Sequence, residues 1–367
     1  MERLKMKKKI LPVTLLFLFA IIIFLYVFPG FNIHNAPPIE DGYRVITDMD
    51  DQLITVPDNP QRIACMHGVS AERIIVLGQA HRLVLAMEPS AWMKKLFPEI
   101  KHEIMKGALY TGNVEKMLQL NVDLAIYSPF PGEAEKYRAA GIKTACGFSP
   151  QKRPRNIEEY GSNFKRQFMF FGELLGSDAK KRAANYCEYF DKKIAQIMEI
   201  TSQVKMEDRP RVYYGGRGGN PASSQGKASV MHWNTEVAGG FFLPQSIDNN
   251  SVEVNTEQIF AWDPDIILLS GYCDSLDIIK KNSGWASLRA VKNGNLYHIP
   301  QGVFVWDNAS GESILMIIYM AKIFYPELFK DWDMIEEMKI FYKEIYNVKI
   351  TENDVERILK HLPPLKK

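Results

Sequence analysis

Cysteine is scarce: Cys65, Cys146, Cys187 and Cys273 are the only four in 367 residues, and they lie far apart. With no Cys-x-x-Cys pair and no His/Cys cluster at zinc spacing, the chain predicts neither a disulfide framework nor a structural zinc site. Charge of one sign is also lacking, because 45 basic residues face 43 acidic ones. Five of the basic residues and one acid fall in MERLKMKKK, which leaves about −2 for the rest and no basic surface to recommend nucleic acid. Signatures of catalysis are missing too: there is no nucleophile elbow, no metal-ligand pair at i, i+4 and no dinucleotide fingerprint. Gly226-Lys227 falls short of a phosphate-binding loop, since Ala228 follows it and Pro221 stands where the upstream glycine is required. An enzyme is not expected.

What is present begins with a leader. Arg3, Lys5, Lys7, Lys8 and Lys9 in residues 1–9 precede an apolar run, 10–28, broken only by Pro12 and Thr14. That run is long enough to cross a bilayer, with the basic flank on the cytoplasmic side. FLYVFPGFNIHNAPP contains no clear A-x-A cleavage pattern and no cysteine for a lipid. An uncleaved anchor is therefore expected over a cleaved signal peptide, with residues 29–42 as a tether. The whole chain is 46% hydrophobic and 24% charged, an ordinary globular composition, and it is long enough for two domains.

One phrase occurs twice. NVEKMLQLNVDLAIYS, residues 113–128, and NTEQIFAWDPDIILLS, residues 255–270, align without a gap and share Asn113/Asn255, Glu115/Glu257, Asp123/Asp265 and Ser128/Ser270. Asn suits a helix N-cap, and a Glu in the first turn suits the positive end of the helix dipole. The apolar run after each Asp is too short for a helix and fits a buried strand. A helix feeding a strand, duplicated across the chain, predicts two similar α/β lobes.

Around these phrases, YRVITDMDDQLITVP predicts a hairpin turning at Asp50-Asp51, and helix and strand then alternate to complete a first lobe over 43–152. Residues 153–206 have helical periodicity and are too long for a crossover within one lobe, so they predict a long helix or a helix pair between lobes. Gly172 and Gly176 are the positions where it could bend. The second lobe, 207–367, opens on RVYYGG and ends in an amphipathic helical tail.

In order and spacing, RVITDMDDQLITVPDNPQRIACM, the two repeat phrases, the Ala238–Gly240 run and WASLRAVKNGNLYHIPQGVFVWD resemble the solute-binding proteins of iron–siderophore, haem and cobalamin ABC importers. The resemblance extends from Tyr43 to about Leu359. It implies two Rossmann-like lobes joined by a rigid long interlobe helix, with ligand between them. It also implies an extracytoplasmic, monomeric component that works with a permease dimer and its ATPase subunits. In such complexes one Glu from each lobe reaches a basic pocket on the permease, and Glu115 and Glu257 occupy those positions; the plainer reading leaves both as dipole-capping acids.

For the ligand, open α/β sheets bind at strand ends. Trp92, Tyr214, His232, Trp233, Tyr272 and Trp306 are candidates there, with Met66, His67, Tyr127, Phe130 and Asp307 beside them. Arg217 in the glycine-rich run YYGGRGGNPASSQGKAS offers a planar fork for an oxyanion, although such a run also suits a plain surface loop. Tyr110 resembles an axial haem-ligand position in some family members, but Tyr272-Cys273 stands where a second ligand would fall. Aromatic rings with one fixed cation favour a ferric siderophore, with haem or cobalamin as alternatives and no resident cofactor. An anchored ligand-sensing domain is the remaining alternative.

Overall fold

The computed structural model describes residues 40–105, 111–128, 130–148, 154–249, 251–273 and 276–365. The leader, the apolar segment and Tyr110 lie outside the described residues. Gly42–Lys367 forms one compact unit, and among the described residues no helix is long and apolar enough to cross a membrane.

The chain enters through a hairpin of β1 (Tyr43–Thr47) and β2 (Leu53–Pro57). Asp51 takes the left-handed conformation at its turn, and the buried Asp48 carboxylate accepts from the amides of Asp50, Gln52 and Cys146. One side chain thus closes the turn and ties it to the first sheet. That sheet is parallel and joins β3 (Ile63–Cys65), β4 (Leu83–Ala86), β5 (Glu103–Ile104), β6 (Leu124–Tyr127) and β7 (Lys143–Cys146) in the order β5-β4-β3-β6-β7.

The second lobe contains β8 (Arg211–Gly215), the short pair β9 (Ser223–Ser224) and β11 (Val252–Glu253), β10 (Phe241–Phe242), β12 (Ile266–Leu269) and β13 (Leu296–His298). Its parallel sheet runs β10-β8-β12-β13. In both sheets the chain leaves the first strand toward one side and later returns on the other. This reversal lies between β3 and β6 in one lobe and between β8 and β12 in the other. The ends of those four strands bound the crevice in which open α/β sheets take ligands.

The duplicated phrases build the two β6- and β12-containing units by the same devices. Asn113 Oδ1 accepts from Lys116 N at 2.9 Å, and Asn255 Oδ1 from Glu257 N at 2.8 Å, each capping a short helix, Val114–Gln119 or Thr256–Trp262. Asn121 and Asp263, equivalent in the alignment, both turn the chain with positive φ, 49° and 39°. Asp123 and Asp265 then accept from Arg62 N and Arg211 N at the start of the neighbouring strand, fixing its register.

Between the lobes the structure forms a helix pair, Ile157–Leu175 and Ser177–Thr201, and not a single long helix. Gly176, at φ 101° and ψ −176°, holds a backbone conformation that side chains oppose, which ends the first helix sharply. The two helices run antiparallel, with Phe168 stacked on Tyr186 at 3.9 Å and Phe164 on Phe190 at 4.7 Å. Gly172 permits the approach, because a Cβ there would sit 2.9 Å from Lys180 Cα. The pair holds both lobes: Arg182 donates to Val76 O, and Tyr160 OH to Asn234 Oδ1 at 2.6 Å.

The helical tail packs against more than the second lobe. Met334–Glu344 pairs with the second interlobe helix through Glu337 and Lys193, and Glu352–Leu359, opened by a Thr351/Asp354 capping box, reaches the Ala91–Leu96 helix of the first lobe. Lys95 pairs with Asp354, Phe97 meets the Tyr346 ring edge-on at 5.6 Å, and Trp92 Nε1 donates to Leu362 O at 3.0 Å.

Candidate solute-binding cleft

Strand ends position the cleft residues. From β3 the chain passes through Met66 and His67 directly into the Gly68–Val76 helix. Gly68 is held against the second lobe, since a Cβ there would lie 3.0 Å from the Phe304 ring. Arg73 from the same helix donates to Ala309 O at 2.7 Å, and Ser90 Oγ to Val303 O at 2.9 Å. The segment from Gln301 to Ser310 is therefore the seam between the lobes.

His67 sits at the first-lobe reversal, its ring stacked on Phe148 at 5.1 Å and Nδ1 2.9 Å from Ser70 Oγ. Burial, reinforced by the nearby Arg73 guanidinium, lowers its pKa to about 3, so it is neutral at any physiological pH. On the other side, Arg217 follows β8 on a loop in which Gly216, Gly218 and Gly219 all have positive φ. It is partly buried, and among the described residues it has no ion-pair partner. After β12 comes Tyr272, 48% exposed, whose hydroxyl accepts from Asn308 Nδ2 at 2.8 Å.

Several aromatic candidates are core residues. Tyr214 is fully buried and donates to Asp307 Oδ2 at 3.0 Å, an acceptor shared with Ser270 Oγ at 2.6 Å. Asp307 thereby joins the ends of β8 and β12 through Oδ2, while its buried Oδ1 has no hydrogen-bond partner among the described residues. Trp306 is also fully buried, edge-on to Tyr319 at 6.3 Å, and Trp233, 5% exposed, stacks on the buried His232 at 4.7 Å. Rings so enclosed offer no face on which a ligand can stack. The expected aromatic wall therefore shrinks, because strand-end aromatics on the inner side of each sheet are taken up by packing. Met66 is buried and Tyr127 nearly so, while Phe130 is 45% exposed.

Trp92, 2% exposed, and Tyr272 do come together, in a flank pocket of about 300 Å³ between the lobes. Gln301, His361 and Pro363 complete its walls. The tail residues, with Phe148, Phe304 and Asn308, are the cleft-side residues that sequence reasoning missed; the HIPQGVFVWD phrase gave a signal for Phe304 alone and ends one residue before Asn308.

Glu115 and Glu257 are exposed in the first turns of their helices, and among the described residues neither carboxylate has an ion-pair partner. Their equivalence is structural as well as sequential.

Known proteins agree with this architecture. Residues 63–303 match the family described as periplasmic binding protein. The molybdate-binding protein MolA of Haemophilus influenzae is 22% identical over 337 residues, covering 86% of this chain and 94% of the relative. Its molybdate-bound structure superposes with a TM-score of 0.75 at 19% identity, over 84% of this chain and 99% of that one. A periplasmic solute-binding protein of Veillonella parvula gives a TM-score of 0.70 at 22% identity, over 86% and 97%. A protein of the ABC-type Fe3+-hydroxamate transport system of Saccharomonospora viridis gives 0.60 at 20%, over 77% and 98%. With the match spanning most of both lobes, the chain belongs to the periplasmic binding protein family and is an extracytoplasmic solute-binding component of an ABC importer, not an enzyme.

Proposed function

We propose that the chain captures an anionic, metal-containing solute at the two strand reversals and presents it to the permease through Glu115 and Glu257. One observation carries the first part: Arg217 is partly buried, without a counter-ion among the described residues, on a loop rich in positive-φ glycines. Backbone of this kind can aim free amides at an anion, to which a guanidinium adds charge-assisted hydrogen bonds, although here the Gly219 amide already donates to Gly216 O at 3.0 Å. A compact oxyanion fits this arrangement, and the likeness to a molybdate-binding relative supports it.

A ferric siderophore is the second reading, favoured by the exposed ring of Tyr272 and the partly exposed rings of Phe148 and Phe304. Haem and cobalamin rank below both, since haem ligation rested on Tyr110 and a corrinoid needs broad apolar faces that Trp306 and Trp233 do not provide.

Calorimetric titration of the purified chain with molybdate, tungstate, ferric hydroxamates, haem, cobalamin and free metal ions separates these readings. Arg217→Ala should weaken an anionic ligand by about 1.5–3 kcal/mol, roughly ten- to a hundredfold. A ligand whose affinity is indifferent to that change, or binding of cobalamin alone, overturns the anion reading.

A further inference from the structure

The duplicated helices share a feature that charge does not explain. Leu118 and Phe260 hold equivalent positions in the two phrases, three residues after Glu115 and Glu257, and both are exposed, at 52% and 37%. Residues three apart are neighbours on a helix surface, so in each lobe one carboxylate and one apolar side chain stand side by side. The residue before each, Met117 or Ile259, is fully buried and already ties the helix to the core of its lobe. A polar side chain at 118 or 260 would be better solvated. Single exposed apolar residues are ordinary on protein surfaces. The same exposed position in both halves, each time beside an acid with no ion-pair partner among the described residues, is not.

Phe260 is supported by its own lobe. Its ring lies edge-on to Trp285 at 6.4 Å, and a Cβ on Gly284 would sit 2.9 Å from its Cζ, so bare backbone backs the ring while the rest faces outward. A ring placed before contact loses little freedom on binding. In the first lobe the cation next to the acid is engaged with a different carboxylate, since Lys116 Nζ lies 3.5 Å from Glu103 Oε2. The equivalent neighbour of Glu257 is the uncharged Gln258. Both helices thus present the same chemistry, one negative charge beside one apolar group.

We propose that Leu118 and Phe260 are the apolar anchors of a two-point docking surface, each seated on one of two like permease subunits next to the cation that meets Glu115 or Glu257. This rests on the docking reading of those two acids. The duplication argues for the occupant, because two equal acid–apolar pairs on one chain match two copies of one subunit. The interlobe helix pair, bonded to both lobes, keeps the pairs at a set spacing. Charges act at a distance and set orientation and encounter rate, whereas apolar contact acts only on touching and slows release. Once one pair has docked, the other meets its subunit at high effective concentration, so each contact can be small.

The test uses the full chain co-expressed with its permease and ATPase subunits. With Leu118 or Phe260 replaced by the photoreactive p-benzoylphenylalanine, irradiated membranes should yield an adduct with the permease subunit. The same replacement of Leu328, 52% exposed and outside the phrases, should yield none. An adduct with a second copy of this chain, or no protein adduct from either position, overturns the proposal. In detergent solution with the purified transporter, Leu118→Ser with Phe260→Ser should weaken docking about ten- to a hundredfold, through faster dissociation and equally at low and high salt. Leu118→Met with Phe260→Leu, which keeps the apolar surface, should dock like the wild type. Glu115→Arg with Glu257→Arg should instead slow association, most strongly at low salt. Docking that survives Leu118→Ser with Phe260→Ser but not the double charge reversal overturns the anchors and leaves the acids standing. Docking that survives both overturns the two readings together. Should Leu118→Ser with Phe260→Ser fail to fold, the cross-link from position 118, where the side chain is half exposed, still decides.

Discussion

Replacing Glu312 by Gln should flatten the pH dependence of stability. Glu312 is fully buried behind the interlobe seam, where it accepts from Phe304 N at 2.8 Å, Val303 N at 3.2 Å and the Tyr342 hydroxyl. Glu72 lies nearby, accepting from Tyr346 OH at 2.6 Å and Gly311 N at 3.0 Å. Burial, with Glu72 adding to it against the hydrogen bonds, raises the Glu312 pKa from 4.5 to about 8. The folded protein therefore keeps a proton that the unfolded chain releases. Stability from this group is complete below pH 4.5 and declines as pH rises toward about 8. At ~1.4 kcal/mol for each tenfold step, the whole window is worth about 3–5 kcal/mol. Between pH 5.5 and 8.5, urea melts of the wild type should lose about 3 kcal/mol more than those of Glu312→Gln. The amide keeps an oxygen for one of the two backbone donors, Val303 N or Phe304 N, which bond different carboxylate oxygens, and the loss of the other shifts stability equally at every pH because the amide carries no titrating proton. Glu72, whose pKa burial also raises, adds a slope of the same sign to both proteins, so the difference between them belongs to Glu312. Equal slopes for the two proteins would refute the reasoning.

Two further outcomes follow from the architecture. Reversing both acids, Glu115→Arg with Glu257→Arg, should leave solute affinity unchanged while weakening binding to reconstituted permease and stopping uptake; full docking and transport by the double variant would leave the acids as dipole caps. Gly172→Ala should destabilise the chain by about 1–2 kcal/mol in urea melts, because overpacking the helix pair outweighs the better helix propensity of alanine; a gain in stability would show that the helices can move apart freely.

The lobes were legible because local devices repeat. Asn113 and Asn255 cap, Asn121 and Asp263 turn, and Asp123 and Asp265 brace the next strand, each acting within a few residues or across one strand pair. Sequence spacing carries such information directly. The side chains of the cleft were legible only as strand ends. Trp306 and Asp307 are adjacent in the sequence, and nothing local tells that one ring will be enclosed while its neighbour gathers the Tyr214 and Ser270 hydroxyls. That outcome depends on β8 and β12 being neighbours, a relation fixed only when the sheet forms. The same holds with greater force for the tail, where Leu362 meets Trp92 across 270 residues. A contact so distant in sequence has no periodicity to announce it, yet it builds the wall of the flank pocket. The walls of the cleft and of the flank pocket are thus made by long-range packing, on a frame whose repeated local devices hold the strand ends in place.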